Sequence, residues 1–138
     1  MKYGSLIMEK KDYLTLKRIL NFHRYYEDYA HKDALEQLGD RIDKALVEDD
    51  SDMPDDVVRL NSKVTVEFLH GERKTFQLVP STRDDLKKNM ISVVSTLGAS
   101  LVGLAVDDRI QLGLPSDIKS FKIVGVEQSH QVSSSFDL

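Results

Sequence analysis

Between residues 9 and 23, Tyr13, Leu16, Ile19, Leu20 and His23 recur three and four positions apart, which places them on one face of a helix. After a stretch rich in Tyr and His, Leu35, Leu38, Ile42, Ala45 and Leu46 repeat that spacing in a nearly heptad rhythm. Asp33, with Glu36 three positions later, has the form of a capping box. The pattern predicts a second helix over 33–47. Each helix carries a single apolar stripe, so the simplest burial is an antiparallel hairpin with the stripes facing and its tip between residues 23 and 32. At about 1.5 Å per residue such a helix reaches only roughly 22 Å, which makes the hairpin short.

Beyond residue 57 the rhythm becomes alternation. Val64, Val66 and Phe68, then Phe76 and Leu78, flank His70-Gly71-Glu72 and read as a β-hairpin with Gly71 in the turn. Residues 90–94 read as a buried strand, 97–104 as a short helix closed near Gly103, 109–114 as a strand and 119–126 as a final alternating strand. Few residues separate the strands at Gly71 and at Pro115-Ser116-Asp117, so those pairs are expected to be antiparallel. The fold class is therefore α+β: a short N-terminal antiparallel helical hairpin, then an antiparallel β-sheet domain with one short helix. The acidic run from Glu48 to Asp56 reads as a solvated linker, since clustered like charge opposes compaction. It sets the expected boundaries at 1–52 for the hairpin and 53–127 for the sheet domain, with a Ser-rich, flexible tail over 128–138.

Composition narrows the function. A chain of 138 residues with 41% hydrophobic and 30% charged residues has the length of one folded domain with a short appendage, and a large multidomain enzyme is excluded. Nineteen basic residues against 23 acidic ones leave a net charge of −4, which argues against binding bare nucleic acid through phosphate neutralisation. With no cysteine there can be no disulfide, thiolate zinc site, iron–sulfur cluster or cysteine nucleophile, and a reducing, cytoplasmic setting fits. Residues 1–10 lack the apolar core of a secretory signal. The uncharged run over 89–106 falls below the roughly 20 apolar residues of a membrane span and is broken by Ser and Gly. The four histidines, His23, His31, His70 and His130, include no pair at i, i+4, and there is no phosphate loop, nucleophile elbow or dinucleotide fingerprint. No enzyme activity, membrane association, cofactor or small-molecule substrate is expected.

The remaining candidates cluster at two places. At the hairpin tip, Glu27 and Asp28, with Asp33 shortly after, could hold a hard divalent cation or simply form a solvated helix end whose charge complements the dipole. Phe22, Tyr25, Tyr26 and Tyr29 there could form a partner-binding patch or the packing that closes the hairpin. Leu97, Leu101 and Leu104 have the spacing of a core-facing stripe.

Residues 91–108, I-S-V-V-S-T-L-G-A-S-L-V-G-L-A-V-D-D, resemble the signature of the C-terminal domain of the Gre transcript-cleavage factors, I-S-V-x-S-P-[LIM]-G-x-A-L-[LV]-G-x-x-V-G-D. Asn61-Ser62-Lys63-Val64-Thr65-Val66 and Leu114-Pro115 match in order and spacing. Within that family, the short hairpin and the segment over 53–62 most resemble the branch called regulator of nucleoside diphosphate kinase. The resemblance implies an FKBP-like C-terminal domain that binds bacterial RNA polymerase at the rim of its secondary channel while the hairpin points inward. In cleavage factors two tip acids help hold the catalytic Mg²⁺. Ser95, Thr96 and Leu97 fall on the family's polymerase-contact segment, with Thr96 in place of proline, and Asp107 stands where the family has glycine. The short hairpin does not align with the family's longer acidic tip and would fall short of the polymerase active centre. An FKBP-like isomerase pocket is floored by tryptophan, which this chain lacks. The expectation is a polymerase-binding transcription regulator without transcript-cleavage activity and without direct sequence-specific nucleic-acid binding. The alternatives are a cleavage factor using Glu27, Asp28 or Asp33 to hold Mg²⁺, and a generic protein-interaction module.

Overall fold

The computed structural model describes residues 1–25, 32–80, 84–112 and 119–128, and Glu27 and Asp28 lie outside them. Strand β1, Ile7–Glu9, is buried along its length and runs parallel to β2, Leu46–Glu48, with Ile7 opposite Leu46. Neither strand was legible as such: three residues are too few to display alternation, and each finds its partner far along the chain. Between them lie helices α1, Lys10–Tyr25, and α2, Lys32–Lys44, which form the helical hairpin. Leu16 and Leu20 of α1 and Leu35, Leu38 and Ile42 of α2 are buried, as their spacing predicts.

Helix α2 stops three residues before the predicted end because the backbone there leaves for β1, with the Leu46 N–H donating to the Leu6 carbonyl at 2.8 Å. Leu46 and Val47, read as part of the second helix, are exposed instead. Asp33 is likewise not an N-cap. It lies inside the first turn of α2, where its charge faces the positive end of the helix dipole. The capping interaction occurs at the other helix: Glu9 Oε1 accepts the backbone N–H of Asp12 at 3.1 Å at the start of α1.

The second region contains β3, Lys63–Phe68; β4, Arg73–Val79; β5, Met90–Ser92; α3, Thr96–Leu101; β6, Arg109–Leu112; and β7, Lys119–Glu127. They appear in the order that the alternation predicts and form one sheet ordered β5-β4-β3-β7-β6. The β3/β4, β3/β7 and β6/β7 pairs are antiparallel, whereas β4 and β5 are parallel, the one departure from an all-antiparallel sheet. Between Thr65 and Val66 the register to β7 slips, from Gly125 to Ile123, a bulge that curls the sheet. The β3–β4 turn carries Gly71 at φ 94°, the left-handed conformation for which glycine is suited.

A single apolar cluster takes Leu16, Leu20, Leu35 and Leu38 from the hairpin together with Val64, Leu78, Val93, Leu101 and Ile123 from the sheet region, and α2 packs directly on α3. The acidic run between the two regions is exposed at residues 49–52 and 55, as expected of a solvated segment, but parts of it are held in place. Asp50–Asp52 forms a 3-10 turn, Met53 is buried, Asp50 meets Arg59 at 2.9 Å, and Asp56 is bonded by the Lys2 ammonium and by the Tyr3 hydroxyl at 2.7 Å. Burial opposes ionisation of Asp56, but those two hydrogen bonds hold its carboxyl below the usual range. Gln128, where the flexible tail was expected to begin, accepts from Ser62 Oγ at 2.6 Å and donates to the Val57 carbonyl at 2.7 Å; the rest of the tail lies outside the described residues. Among the described residues no helix is long and apolar enough to cross a membrane.

Candidate functional site

The turn from β5 into α3 presents Ser95, Thr96 and Leu97 together, and it is tightly determined from within the chain. Ser95 is the N-cap of α3: its Oγ accepts the Gly98 N–H at 3.0 Å and donates to the Ser92 carbonyl at 2.7 Å. Ser92 Oγ in turn accepts the Val94 N–H at 3.0 Å, and the Ser92 N–H donates to Asp84 Oδ1 at 2.7 Å. The Ser95 hydroxyl is therefore fully engaged in shaping the loop. Leu97 is half-buried against the core, and Thr96 is the exposed member of the three.

Gly98 explains how close the helix sits. A Cβ there would lie 2.0 Å from the Ser92 carbonyl oxygen, so only glycine lets α3 settle onto β5. Sequence reasoning placed Gly98 and Asp108 in a motif without assigning them these roles, and it did not identify Asp84. The helix's far end is fixed in a related way. Gly103 has φ 87°, and Asp108, nearly buried, accepts the Ala105 N–H at 2.8 Å and the Lys2 N–H at 2.6 Å. Asp107, where glycine was the expected family residue, adopts φ 80°, a conformation that strains a residue with a Cβ.

Thr96 occupies the first helical position. That N–H has no intrahelical acceptor in any helix, and Ser95 already has the extended backbone, φ −83° and ψ 161°, that a residue preceding proline requires. Thr96→Pro is accordingly expected to stabilise the protein by about 0.5–1 kcal/mol, a rise of a few degrees in the thermal midpoint, through loss of unfolded-state entropy. A lower midpoint by circular dichroism would contradict the geometry of this turn.

At the hairpin end, Asp33 is exposed in the first turn of α2. The other two acids of the expected tip set, Glu27 and Asp28, lie outside the described residues. Phe22 is exposed on α1, while the structures of Tyr26 and Tyr29 lie outside the described residues. Among the described residues no three His, Asp or Glu side chains are placed to hold a metal ion.

The sequence profile described as "Transcription elongation factor, GreA/GreB, C-term" matches residues 53–128, more than half of the chain and the whole of the β5–α3 region. The chain belongs to this family. The Gre-family protein resembles the transcription elongation factor GreA of Pelagibacter ubique, with 30% identity over 126 residues that cover 89% of this chain and 80% of that protein. The GreA of Clostridium beijerinckii is 33% identical over 94 residues, 67% of this chain, and the match spans 59% of that relative's length. In fold, the chain is similar to a prokaryotic transcription elongation factor GreA/GreB from Nitrosomonas europaea, with a TM-score of 0.71 at 24% identity over 90% of this chain and 100% of that one. The matched range includes residues 91–108, which form the β5–α3 turn, α3 and the Gly103–Asp108 turn, and within them Ser95, Gly98, Gly103 and Asp108 fix this corner's geometry.

Proposed function

We propose that this Gre-family protein is a bacterial RNA polymerase-binding regulator, of the branch called regulator of nucleoside diphosphate kinase, that acts in the cytoplasm. It docks at the rim of the secondary channel through the β5–α3 turn, with Thr96 and Leu97 making the contact and Ser95 holding the turn in shape. The observation that carries the reading is the coincidence of the family's contact segment with a turn whose internal hydrogen bonds leave Thr96 outward. The reading takes cleavage stimulation to be absent on grounds of reach. The described part of α1 spans 16 residues, roughly 24 Å at about 1.5 Å per residue, and this supports a hairpin too short for the polymerase's catalytic Mg²⁺. The tip acids Glu27, Asp28 and Asp33 then serve the hairpin's own end and take no part in chemistry. The division into a hairpin over 1–52 and a docking domain over 53–127 belongs to the same reading.

Two measurements on one preparation test it: binding to core RNA polymerase, and RNA cleavage in a stalled, backtracked elongation complex. The expected result is binding without accelerated cleavage, and a Thr96→Glu variant that melts like the wild type but binds at least about tenfold more weakly, the equivalent of one lost contact of 1.4 kcal/mol. Cleavage that disappears in Glu27→Ala or Asp28→Ala would replace this reading with the cleavage-factor one. Failure to bind polymerase would leave the interaction-module reading.

A further inference from the structure

A cleft of about 420 Å³ opens where the last turns of α2 pass over β6 and the loop before it, a volume in the range of small-molecule sites. Its floor is apolar and buried, formed by Leu6, Leu104 and Ile110. Around that floor stand three cations, Arg41 and Lys44 from α2 and Arg109 from β6, against one acid, Asp40. The protein as a whole carries a net charge of −4, so this concave surface has the opposite sign to the molecule.

Four basic side chains elsewhere meet carboxylates: Arg59 meets Asp50, Arg73 meets Glu67, Lys2 meets Asp56 and Lys122 meets Asp107. Arg41, Lys44 and Arg109 make no ion pair or hydrogen bond with any other described residue. Arg41 is moreover half-buried, and that burial pulls its pKa down without neutralising it. A partly desolvated guanidinium that meets no counter-charge among the described residues is unfavourable, and an incoming anion relieves it. The dipole of α2 favours Arg41 and Lys44 in its last turn, but it has no bearing on Arg109, which a separate strand delivers to the same cleft. Two planar guanidinium groups and an ammonium grouped at an apolar floor are suited to a phosphate joined to an apolar body.

We propose that the α2–β6 cleft binds a small molecule that joins a phosphate group to a flat apolar body, with the phosphate held by Arg41, Lys44 and Arg109 and the body resting on Leu6, Leu104 and Ile110. The site is separate from the β5–α3 turn, and its occupancy can be read without polymerase.

The test is titration of the full chain with phenyl phosphate and, in parallel, with inorganic phosphate, followed by amide chemical shifts and calorimetry. Saturable phenyl phosphate binding is expected, with shifts centred on α2 and β6, tighter than inorganic phosphate by at least about tenfold because the ring buries apolar surface. Arg41→Gln is expected to weaken it about 10- to 100-fold, the effect of one charge-assisted hydrogen bond, while Asp40→Asn tightens it by removing the one opposing charge. The two variants move in opposite directions, so general damage to the fold cannot imitate the pattern. No saturation below about 10 mM, equal binding of the two probes, or affinities unchanged in both Arg41→Gln and Lys44→Gln would overturn the assignment.

Discussion

Gly98→Ala is expected to destabilise the protein by about 3 kcal/mol or more, lowering the thermal midpoint by on the order of 10 °C. The added methyl would sit 2.0 Å from the Ser92 carbonyl oxygen, 2.8 Å from its carbon and 3.1 Å from Leu78 Cδ1. A side chain could swing aside, but the Ser92 carbonyl cannot. It accepts from Ser95 N at 3.1 Å and from Ser95 Oγ at 2.7 Å, and Ser92 lies in the parallel register of β5 with β4. Relief therefore means lifting α3 off the sheet, which breaks the Ser95 cap and opens the core around Leu101. Gly71→Ala supplies the contrast, because Gly71 shares the need for positive φ, at 94°, but has nothing within 4 Å of the new methyl. Its loss should stay near 1–2 kcal/mol, the ordinary penalty of a left-handed L residue. Differential scanning calorimetry of the two variants checks the ordering, and equal midpoints would mean that α3 does not approach β5 as closely as described. Under the proposed function, Gly98→Ala also loses polymerase binding, since it deforms the turn that presents Thr96.

Periodicity made the longer elements readable because each buries one face over several turns or several alternations. Leu16, Leu20, Leu35 and Leu38 announced the hairpin, and Val64, Val66 and Leu78 the strands that receive it. What stayed hidden depends on partners distant in sequence. The β1/β2 pair joins residues 7–9 to residues 46–48, and no local pattern distinguishes such a strand from the end of a helix. The parallel β4/β5 register was hidden in the same way. Within the candidate site, the motif located Ser95, Thr96 and Leu97 but could not say that the Ser95 hydroxyl is spent on Gly98 and Ser92, leaving Thr96 as the outward member. The acidic run is exposed over most of its length, as its charge implied, but its tethering was not legible. Its charges looked like a hydrated linker when counted alone, whereas Arg59, Lys2 and Tyr3 come from outside the run to meet two of them.

Arg59 carries the second large expectation. Its guanidinium lies 2.9 Å from Asp50, 3.7 Å from Glu9 and 3.9 Å from Asp12, with only 14% of its side chain exposed. It thereby ties the start of α1 and the 3-10 turn to the strand region, with its own backbone N–H donating to Ser62 Oγ at 2.9 Å. Arg59→Met keeps the aliphatic stem but leaves the nearly buried Glu9 and Asp12 without their cation, and a loss of about 3 kcal/mol is expected near neutral pH. The loss should depend on pH through Asp12. Burial pushes its carboxyl up to about 6, against the Leu60 N–H bond at 3.0 Å and the Arg59 charge, which both favour ionisation. The folded value lies above the ordinary 3.8, so the folded state holds this proton more firmly than the unfolded chain does. Its contribution to stability is complete below pH 3.8 and is lost as pH rises through 6, an amplitude on the order of 3 kcal/mol. In Arg59→Met the guanidinium no longer assists ionisation, the carboxyl shifts higher still, and the variant's deficit grows between pH 4.5 and 7.5. Asp12→Asn, which cannot titrate, should gain on the wild type over the same interval and should recover part of the deficit when combined with Arg59→Met. Urea denaturation of the four proteins at the two pH values reads all of this. A deficit in Arg59→Met that is the same at both would place the cost on Glu9 and Asp50, and would remove Asp12 from the account.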